Sequence, residues 1–220
     1  MQVPGEWTEA VAVDWEQVWT NVAAQLNGYR DVGLEALLTE DVLRFSTLQQ
    51  LAGSGLDTRQ LEVEWRRPGV SDAVDLVVSG PPRTAVEFKF PREPRATNAA
   101  WTQHLGETLK DFYRLASMPA DFEDRICVQL LSRRVRRYFD SVTARHGVAM
   151  ATRAGEATAL EPGAVKGLPA TALRSLSRWL PELPSVHAVC RHVEAVGDDL
   201  VLICHQVQPL DVEPPGSPAP

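Results

Sequence analysis

The chain has few cysteines, no long apolar run and no leader-like N-terminus. Cys127, Cys190 and Cys204 lie far apart without a CxxC pair, which argues against a disulfide framework and a zinc ribbon. No apolar run approaches the roughly 18 residues that span a bilayer. The first residues are neither basic nor apolar, unlike a secretory signal. We therefore expect a cytoplasmic protein with no membrane association.

Several enzyme signatures are also missing. The sequence contains no GxSxG elbow, no Walker A loop and no GxGxxG fingerprint. Histidines and cysteines near the C-terminus lack the spacing of a zinc site, and we interpret them as core and edge residues of a hairpin. These residues are His187, Cys190, His192, Cys204 and His205.

Lysine is scarce and the charge is unevenly distributed. Only three of the 22 basic residues are lysine, and the net charge is −7. Residues 125–153 nevertheless hold seven arginines and one acid, a local charge of +6 that leaves −13 for the rest. Such asymmetry indicates that one basic face binds a polyanion while the rest of the molecular surface is acidic.

The length and composition predict one domain. At roughly 150 residues per domain, 220 residues are best interpreted as a single elaborated domain, which we place at 1–208. A hydrophobic fraction of 44% is enough for a sizeable core. The last twelve residues, 209–220, contain five prolines and are predicted to be a disordered tail.

Hydrophobic periodicity predicts a mixed α/β fold. The N-terminal region is predicted to form helices over 8–27, 31–38 and 40–52, with Gly28 ending the first and Val42, Phe45, Leu48 and Leu51 forming the buried stripe of the third. We expect a central mixed sheet flanked by helices and extended by a C-terminal hairpin. The later predictions are strands 61–67, 73–79 and 84–90, helix 101–116, strand 126–131, helix 133–146, an irregular surface excursion 148–170, helix 171–180, and hairpin strands 186–194 and 200–207.

Charged residues on the predicted interior strands are the strongest sign of chemistry. Glu87 and Lys89 share one face of their strand, and Asp75 interrupts an otherwise apolar strand, where an unpaired carboxylate is costly. A hairpin turning about Pro81 places Asp75 opposite Glu87. Two adjacent carboxylates favour a cation between them, and Mg²⁺ accepts such ligands. The alternative is that Glu87 and Lys89 only form ion pairs on an exposed edge strand.

These residues, in this order of elements, resemble the PD-(D/E)XK nuclease superfamily, over about residues 34–146. The resemblance implies a restriction-endonuclease-like core in which Asp75 and Glu87 bind Mg²⁺ together with the carbonyl of Phe88. It implies that Lys89 positions the attacking water. The pattern differs at one position, since Val74 rather than proline precedes Asp75.

The resemblance also implies a helical glutamate, which is Glu40 or, less favoured, Glu35. An alternative role for Glu40 is to stabilise its helix terminus and to pair with Arg44. Gln103 corresponds to a polar residue that members of the superfamily place near the site, or it is simply a solvated helix start. The site residues are therefore Asp75, Glu87, Lys89 and Glu40, with Phe88 as a main-chain ligand.

Two basic segments are candidates for phosphate contacts. Arg92, Arg95 and Asn98 follow the Glu-x-Lys strand directly, and they either hold a nucleic-acid backbone or belong to a solvated loop. The second segment is the strongest candidate in the chain for binding a polyanion. The alternative is that it is a solvated helix face. This segment consists of Arg133, Arg134, Arg136 and Arg137.

The sequence therefore predicts a Mg²⁺-dependent nuclease, with Mn²⁺ able to substitute. DNA is the expected substrate and RNA the alternative. A homodimer or a larger system, such as bacterial defence, is suggested only by analogy with the superfamily. The competing hypothesis is a catalytically inactive nuclease-fold module that acts in nucleic-acid binding or protein assembly.

Overall fold

The computed structural model describes residues 12–67, 72–93 and 98–210, with only the backbone at 98 and 99. Residues 8–11 of the predicted first helix, Arg95, the side chain of Asn98 and residues 211–220 of the predicted tail lie outside the described part.

Two helices precede the sheet. Helix α1 (Trp15–Asp31) begins at Asp14, whose side chain accepts a hydrogen bond from the backbone of Gln17. It continues through Gly28, so the prediction that this glycine ends the helix was wrong. Helix α2 (Glu40–Gly53) begins at Thr39, which caps the backbone of Val42. The helix predicted over 31–38 is only a 3₁₀ turn, Glu35–Leu37, because the apolar residues of this segment do not form one buried stripe and only Leu38 is buried.

The sheet has seven described strands in the order β1-β2-β3-β4-β7-β6-β5. All neighbouring pairs are antiparallel except β3 and β4, which are parallel. The predicted mixed α/β fold is therefore confirmed. The strands are β1 (Leu61–Arg66), β2 (Ala73–Val78), β3 (Thr84–Lys89), β4 (Asp124–Ser132), β5 (Ala157–Leu160), β6 (Val186–Val196) and β7 (Leu200–Val207).

Helix α3 (Asn98–Ala116) makes the crossover between the parallel strands β3 and β4, and helix α4 (Arg133–Arg145) begins directly after β4. The side chain of Ser132 caps α4 through the backbone of Val135. Residues 148–170 were predicted to form an irregular surface segment, but they contain regular structure, namely β5 and helix α5 (Pro162–Lys166). Hydrophobic periodicity did not predict these elements because β5 has only four residues and α5 only five, too few to establish a period. Helix α6 (Ala170–Ser175) and the 3₁₀ turn Leu180–Glu182 lead to the hairpin of β6 and β7.

Apolar residues form a separate core on each face of the sheet. Helices α1 and α2 cover one face, over side chains that include Leu76, Val86 and Phe88. Helices α3, α4 and α6 cover the other face, over side chains that include Val77 and Cys127. This alternation follows from the two-residue period of strands. The predicted stripe of α2 was wrong at Phe45, which is 58% exposed, because the helix buries Leu43 and Thr47 instead.

The structure also shows what the helices cannot do. None of the helices in the described ranges is long and apolar enough to cross a lipid bilayer.

Candidate active site

Strand β3 carries the candidate residues to its carboxyl end. Val86 and Phe88 enter the core beneath α1 and α2, so Glu87 and Lys89 face the layer of α3. Glu87 is only 2% exposed. The predicted shared face of these two charged residues is therefore what the structure shows, and the strand is an interior one, with β2 and β4 on its two sides. The alternative of an exposed edge strand was wrong.

Asp75 lies where β2 and β3 separate. The two strands pair as Val78 with Thr84 and Leu76 with Val86, which is the register that the predicted turn about Pro81 requires. Pairing stops before Asp75, and its Oδ2 instead accepts a hydrogen bond of 2.7 Å from the backbone N–H of Phe88. The carboxylate is thus fixed against the backbone that carries Glu87 and Lys89.

The outer neighbour of β2 is irregular at the same level. Glu64 on β1 has a left-handed backbone, with φ of 54°, and the pairing of β1 with β2 omits Glu64 and Asp75. A residue with positive φ interrupts the ladder and increases the local twist. This irregularity leaves Asp75 out of the β1 ladder, and its side chain faces β3.

Glu40 reaches the same strand from the start of α2. Its Oε2 accepts a hydrogen bond of 3.1 Å from the backbone N–H of Phe90 and lies 3.5 Å from Nζ of Lys89. The alternative pairing of Glu40 with Arg44 is not found, because Arg44 binds Asp41 and Glu64 and lies 3.9 Å from Asp75. Glu35 lies exposed in the preceding 3₁₀ turn. Of the two glutamates, the structure brings Glu40 to Lys89.

Asp111 on α3 is a further member of the site that the sequence interpretation missed. It is 1% exposed, and its Oδ2 lies 3.4 Å from Nζ of Lys89. That oxygen has no well-aligned hydrogen-bond donor among the described residues. The available signal was its position within the apolar stripe of α3, three residues after buried Thr108 and four before buried Leu115.

Glu87 pairs with an arginine of the same helix, α3. Arg114 of α3 donates a 2.7 Å hydrogen bond to Glu87 Oε1 and a second bond to the carbonyl of Ala73. Asp75, in contrast, is approached by Arg44 of α2, which packs on the opposite face. The two carboxylates predicted to hold one ion are therefore paired with arginines from different layers. Four acids, namely Glu40, Asp75, Glu87 and Asp111, face three basic groups here, namely Lys89, Arg44 and Arg114.

Burial and crowded charges shift the pKa values of this cluster. Desolvation, together with the charges of Asp111 and Asp75, raises the pKa of Glu87 well above its ordinary value, although Arg114 opposes this. Desolvation raises the pKa of Asp111 to about 6, against the influence of Lys89. Burial lowers the pKa of Lys89, but the carboxylates of Asp111, Glu40 and Asp75 outweigh burial and raise it. Lys89 is therefore an ammonium at neutral pH.

The donor set fits a hard divalent cation in its chemistry but is not preassembled. Carboxylate and carbonyl oxygens are the ligands that Mg²⁺ takes. Oδ2 of Asp111 pairs with Lys89 but accepts no hydrogen bond from the described residues, so it is a buried oxygen that a cation would satisfy. Within the residues described, however, no three acidic, histidine or cysteine side chains are grouped closely enough to hold an ion as they stand. Arg114 binds only Oε1 of Glu87, so coordination by both Asp75 and Glu87 would use Oε2 of Glu87 or displace Arg114.

The basic segment of α4 lies at the same edge of the sheet as Lys89. Strands β3 and β4 are parallel, so the start of α4 follows the β4 end that adjoins Lys89. Glu93, just after β3, accepts a 2.6 Å hydrogen bond from Ser132 and lies 3.5 Å from Arg134. Arg134 also lies over the ring of Trp101. The start of α4 and the acidic cluster therefore lie at the same end of β3 and β4.

The remaining predicted contact residues differ in what they do. Arg133, Arg134 and Arg137 are exposed, whereas Arg136 is half-buried and donates to the carbonyl and hydroxyl of Thr152.

The two other polar candidates are exposed. Arg92 lies 3.4 Å from the carbonyl of Leu38, and Gln103 donates to Glu107 on its own helix. The structure places neither of them in contact with the acidic cluster.

Comparisons with known proteins give no relative for this chain. No protein-family model, no curated protein and no solved structure matches it.

Proposed function

We propose that this protein is a Mg²⁺-dependent nuclease of the restriction-endonuclease-like type, acting on DNA. One observation carries the proposal. Two carboxylates, Glu40 and Asp111, lie within 3.5 Å of the ammonium of Lys89 at the end of β3. Asp75 and Glu87 lie beside them on β2 and β3, and exposed arginines begin α4 at the same end of the sheet. A nuclease needs this juxtaposition, because it must hold a cation and a phosphate chain at adjacent positions.

The order of elements supports the proposal. A helix with an acid, three antiparallel strands, a crossover helix, a parallel strand and a further helix follow one another from α2 to α4. This is the order on which the resemblance to the PD-(D/E)XK superfamily rests. A fold of itself does not establish a reaction, so the proposed activity depends on the acidic cluster.

Each residue has a defined role in this proposal. Asp75, Glu40, Glu87 and the carbonyl of Phe88 would hold the ion, Glu87 through the oxygen that Arg114 does not bind or in place of Arg114. A bound Mg²⁺ supplies stabilisation of the charge that develops on the scissile phosphate. Lys89 donates hydrogen bonds that orient the hydrolytic water, and as an ammonium it does not act as the base. Mn²⁺ is expected to substitute for Mg²⁺.

The test is cleavage of supercoiled plasmid, single-stranded DNA and RNA by the purified chain with Mg²⁺ or Mn²⁺. We expect Asp75→Asn and Lys89→Met each to lower the cleavage rate by about 100-fold or more. Glu182→Gln, which changes an exposed acid far from the cluster in sequence, should leave the rate unchanged. Cleavage that persists in both site variants would refute the assignment, and the RNA arm decides between the two substrates.

A second candidate function is a nuclease-fold module without activity that binds nucleic acid or assembles with proteins. The specific observation in its favour is the Glu87–Arg114 ion pair, which occupies a carboxylate needed for metal binding. Calorimetry with Mn²⁺ distinguishes the two functions. Heat of binding that disappears in Asp75→Asn supports the nuclease, whereas absence of both binding and cleavage supports the module.

The proposal also includes the cellular location of the protein and its assembly. We place it in the cytoplasm, since its three cysteines are all free thiols, as expected in a reducing compartment. Action as a homodimer or within a larger defence or DNA-processing system remains the expectation from the sequence.

A further inference from the structure

An apolar groove lies on the outer side of α2 and shares Arg44 with the acidic cluster. It encloses about 580 Å³ and runs between α2, the end of α1, the 3₁₀ turn and β1. We call it the α2 groove. Its walls include Tyr29, Leu34, Leu37, Val42, Phe45 and Val63.

The groove gathers nearly all of the exposed apolar side chains in the described part of the chain. Five large hydrophobic residues there are exposed, and four of them line the groove, Leu37 at 63% and Phe45 at 58% being the most open. Single exposed apolar residues are ordinary, but a contiguous apolar patch on a folded domain marks an interaction surface. The unexpected exposure of Phe45 is explained in this way.

The walls do not suit a small polar ligand. The two charged residues at the groove, Asp41 and Arg44, already pair with each other at 2.6 Å. A pocket for a small molecule typically presents a few convergent polar groups that fix its orientation. Apart from this ion pair the walls of the α2 groove are mainly apolar, which favours a larger apolar surface as occupant.

The surroundings of the groove are acidic. Asp31 and Glu35 flank the wall residues of the 3₁₀ turn, and Asp41 and Glu64 lie beside Arg44; all four acids are exposed. Arg44 is the one basic residue in the groove wall, and exposed Arg92 approaches the wall at the carbonyl of Leu38, so that four acids accompany two arginines. The surface thus has a net negative charge and complements a basic partner.

We propose that the α2 groove binds a basic amphipathic helix of a partner protein. Recognition by a helix uses apolar side chains at i, i+4 and i+7 laid into such a groove. Addition of a strand to the adjacent edge of β1 is disfavoured, because the left-handed Glu64 interrupts that edge. The proposal does not depend on the nuclease assignment, although Arg44 links the groove to Asp75 at 3.9 Å.

The experiment compares two designed helical peptides that share one leucine face. The first carries lysine at every polar position and the second carries glutamate. Fluorescence anisotropy with the full chain should show the lysine peptide binding at least about tenfold more tightly. Phe45→Ser and Leu37→Ser should each weaken that binding by about tenfold or more. Val32→Ser is the matched control, since Val32 is 70% exposed but does not line the groove.

Circular dichroism of each variant establishes that it is folded, and sedimentation equilibrium establishes the oligomeric state. Equal affinity for the two peptides, no binding of either, or equal losses in Phe45→Ser and Val32→Ser would overturn the proposal. A dimer that Phe45→Ser dissociates would also overturn it and assign the groove to a second copy of the chain.

Discussion

At the scale of single residues, the protonation state of Asp111 contributes to the net charge of the acidic cluster. This residue is buried beside Lys89 and Arg114, yet desolvation dominates and raises its pKa to about 6. Between its ordinary pKa of 3.8 and the folded value, the folded state binds more protons than the unfolded state. The free energy of unfolding therefore falls as pH rises through this window, and the full cost is present above about pH 6.

Asp111→Asn removes this cost. We expect the variant to be more stable than the wild type at pH 7.5, by about 1–3 kcal/mol, and most of that gain to be lost at pH 4. Urea unfolding at the two pH values measures the difference. On the proposed function, the same variant should cleave DNA more slowly, because Lys89 loses a carboxylate that holds its ammonium.

The control for this prediction is Glu182→Gln, which should alter neither the stability nor its pH dependence. If Asp111→Asn instead lowers the free energy of unfolding at pH 7.5, then attraction to Lys89 outweighs the burial of the carboxylate, and desolvation does not dominate the cluster.

At the scale of elements, the contact between α3 and α6 depends on one glycine. A Cβ atom at Gly106 would overlap the backbone of Ala172, lying 2.7 Å from its Cα. Side chains are close-packed and backbone atoms do not yield easily. The two helices therefore approach as closely as they do because residue 106 has no side chain.

Gly106→Ala should consequently lower the free energy of unfolding by about 1–3 kcal/mol. Gly28→Ala is the matched change, because Gly28 lies within α1 and a Cβ there meets nothing within 4 Å. It should raise the free energy of unfolding by about 0.5–1 kcal/mol through helix propensity. Thermal and urea unfolding of both variants measure these effects, and a neutral Gly106→Ala would show that α6 shifts freely.

At the scale of the whole molecule, charge is separated between an acidic body and the basic start of α4. The arginines there are fewer than the sequence suggested, since Arg136 is committed to Thr152. Of the exposed ones, Arg134 lies beside Glu93, just after the end of β3. Nucleic acid would therefore be held next to the acidic cluster and not over the acidic remainder.

Replacing Arg133 and Arg134 together by glutamine tests this arrangement. Removal of one arginine that binds a phosphate should reduce the slope of log affinity against log salt by about 0.9, hence by up to about 2 for the pair. Anisotropy of a labelled duplex between about 50 and 200 mM salt measures the slope.

The matched change for the arginine pair is Arg145→Gln with Arg174→Gln, two exposed arginines at the end of α4 and on α6. This double variant should keep the wild-type slope. Equal slopes for the two double variants would mean that the start of α4 is only a solvated helix face.

Local pattern determined much of the architecture from the sequence alone. Strand period, turn residues and helical spacing predicted every sheet strand except β5, as well as α2, α3 and α4. The turn about Pro81 even predicted the register of β2 with β3. Local pattern has this power because backbone hydrogen bonding and burial of one face act over a few residues.

Only the tertiary structure decided which charged groups meet. Asp111 and Arg114 join the site through the packing of α3 on the sheet, and Glu87 faces Arg114 rather than Asp75. Phe45 is likewise exposed because α2 turns Leu43 and Thr47 inward. Such outcomes depend on contacts between distant segments, where burial, charge and steric fit are set by the complete packing and not by the neighbours in the chain.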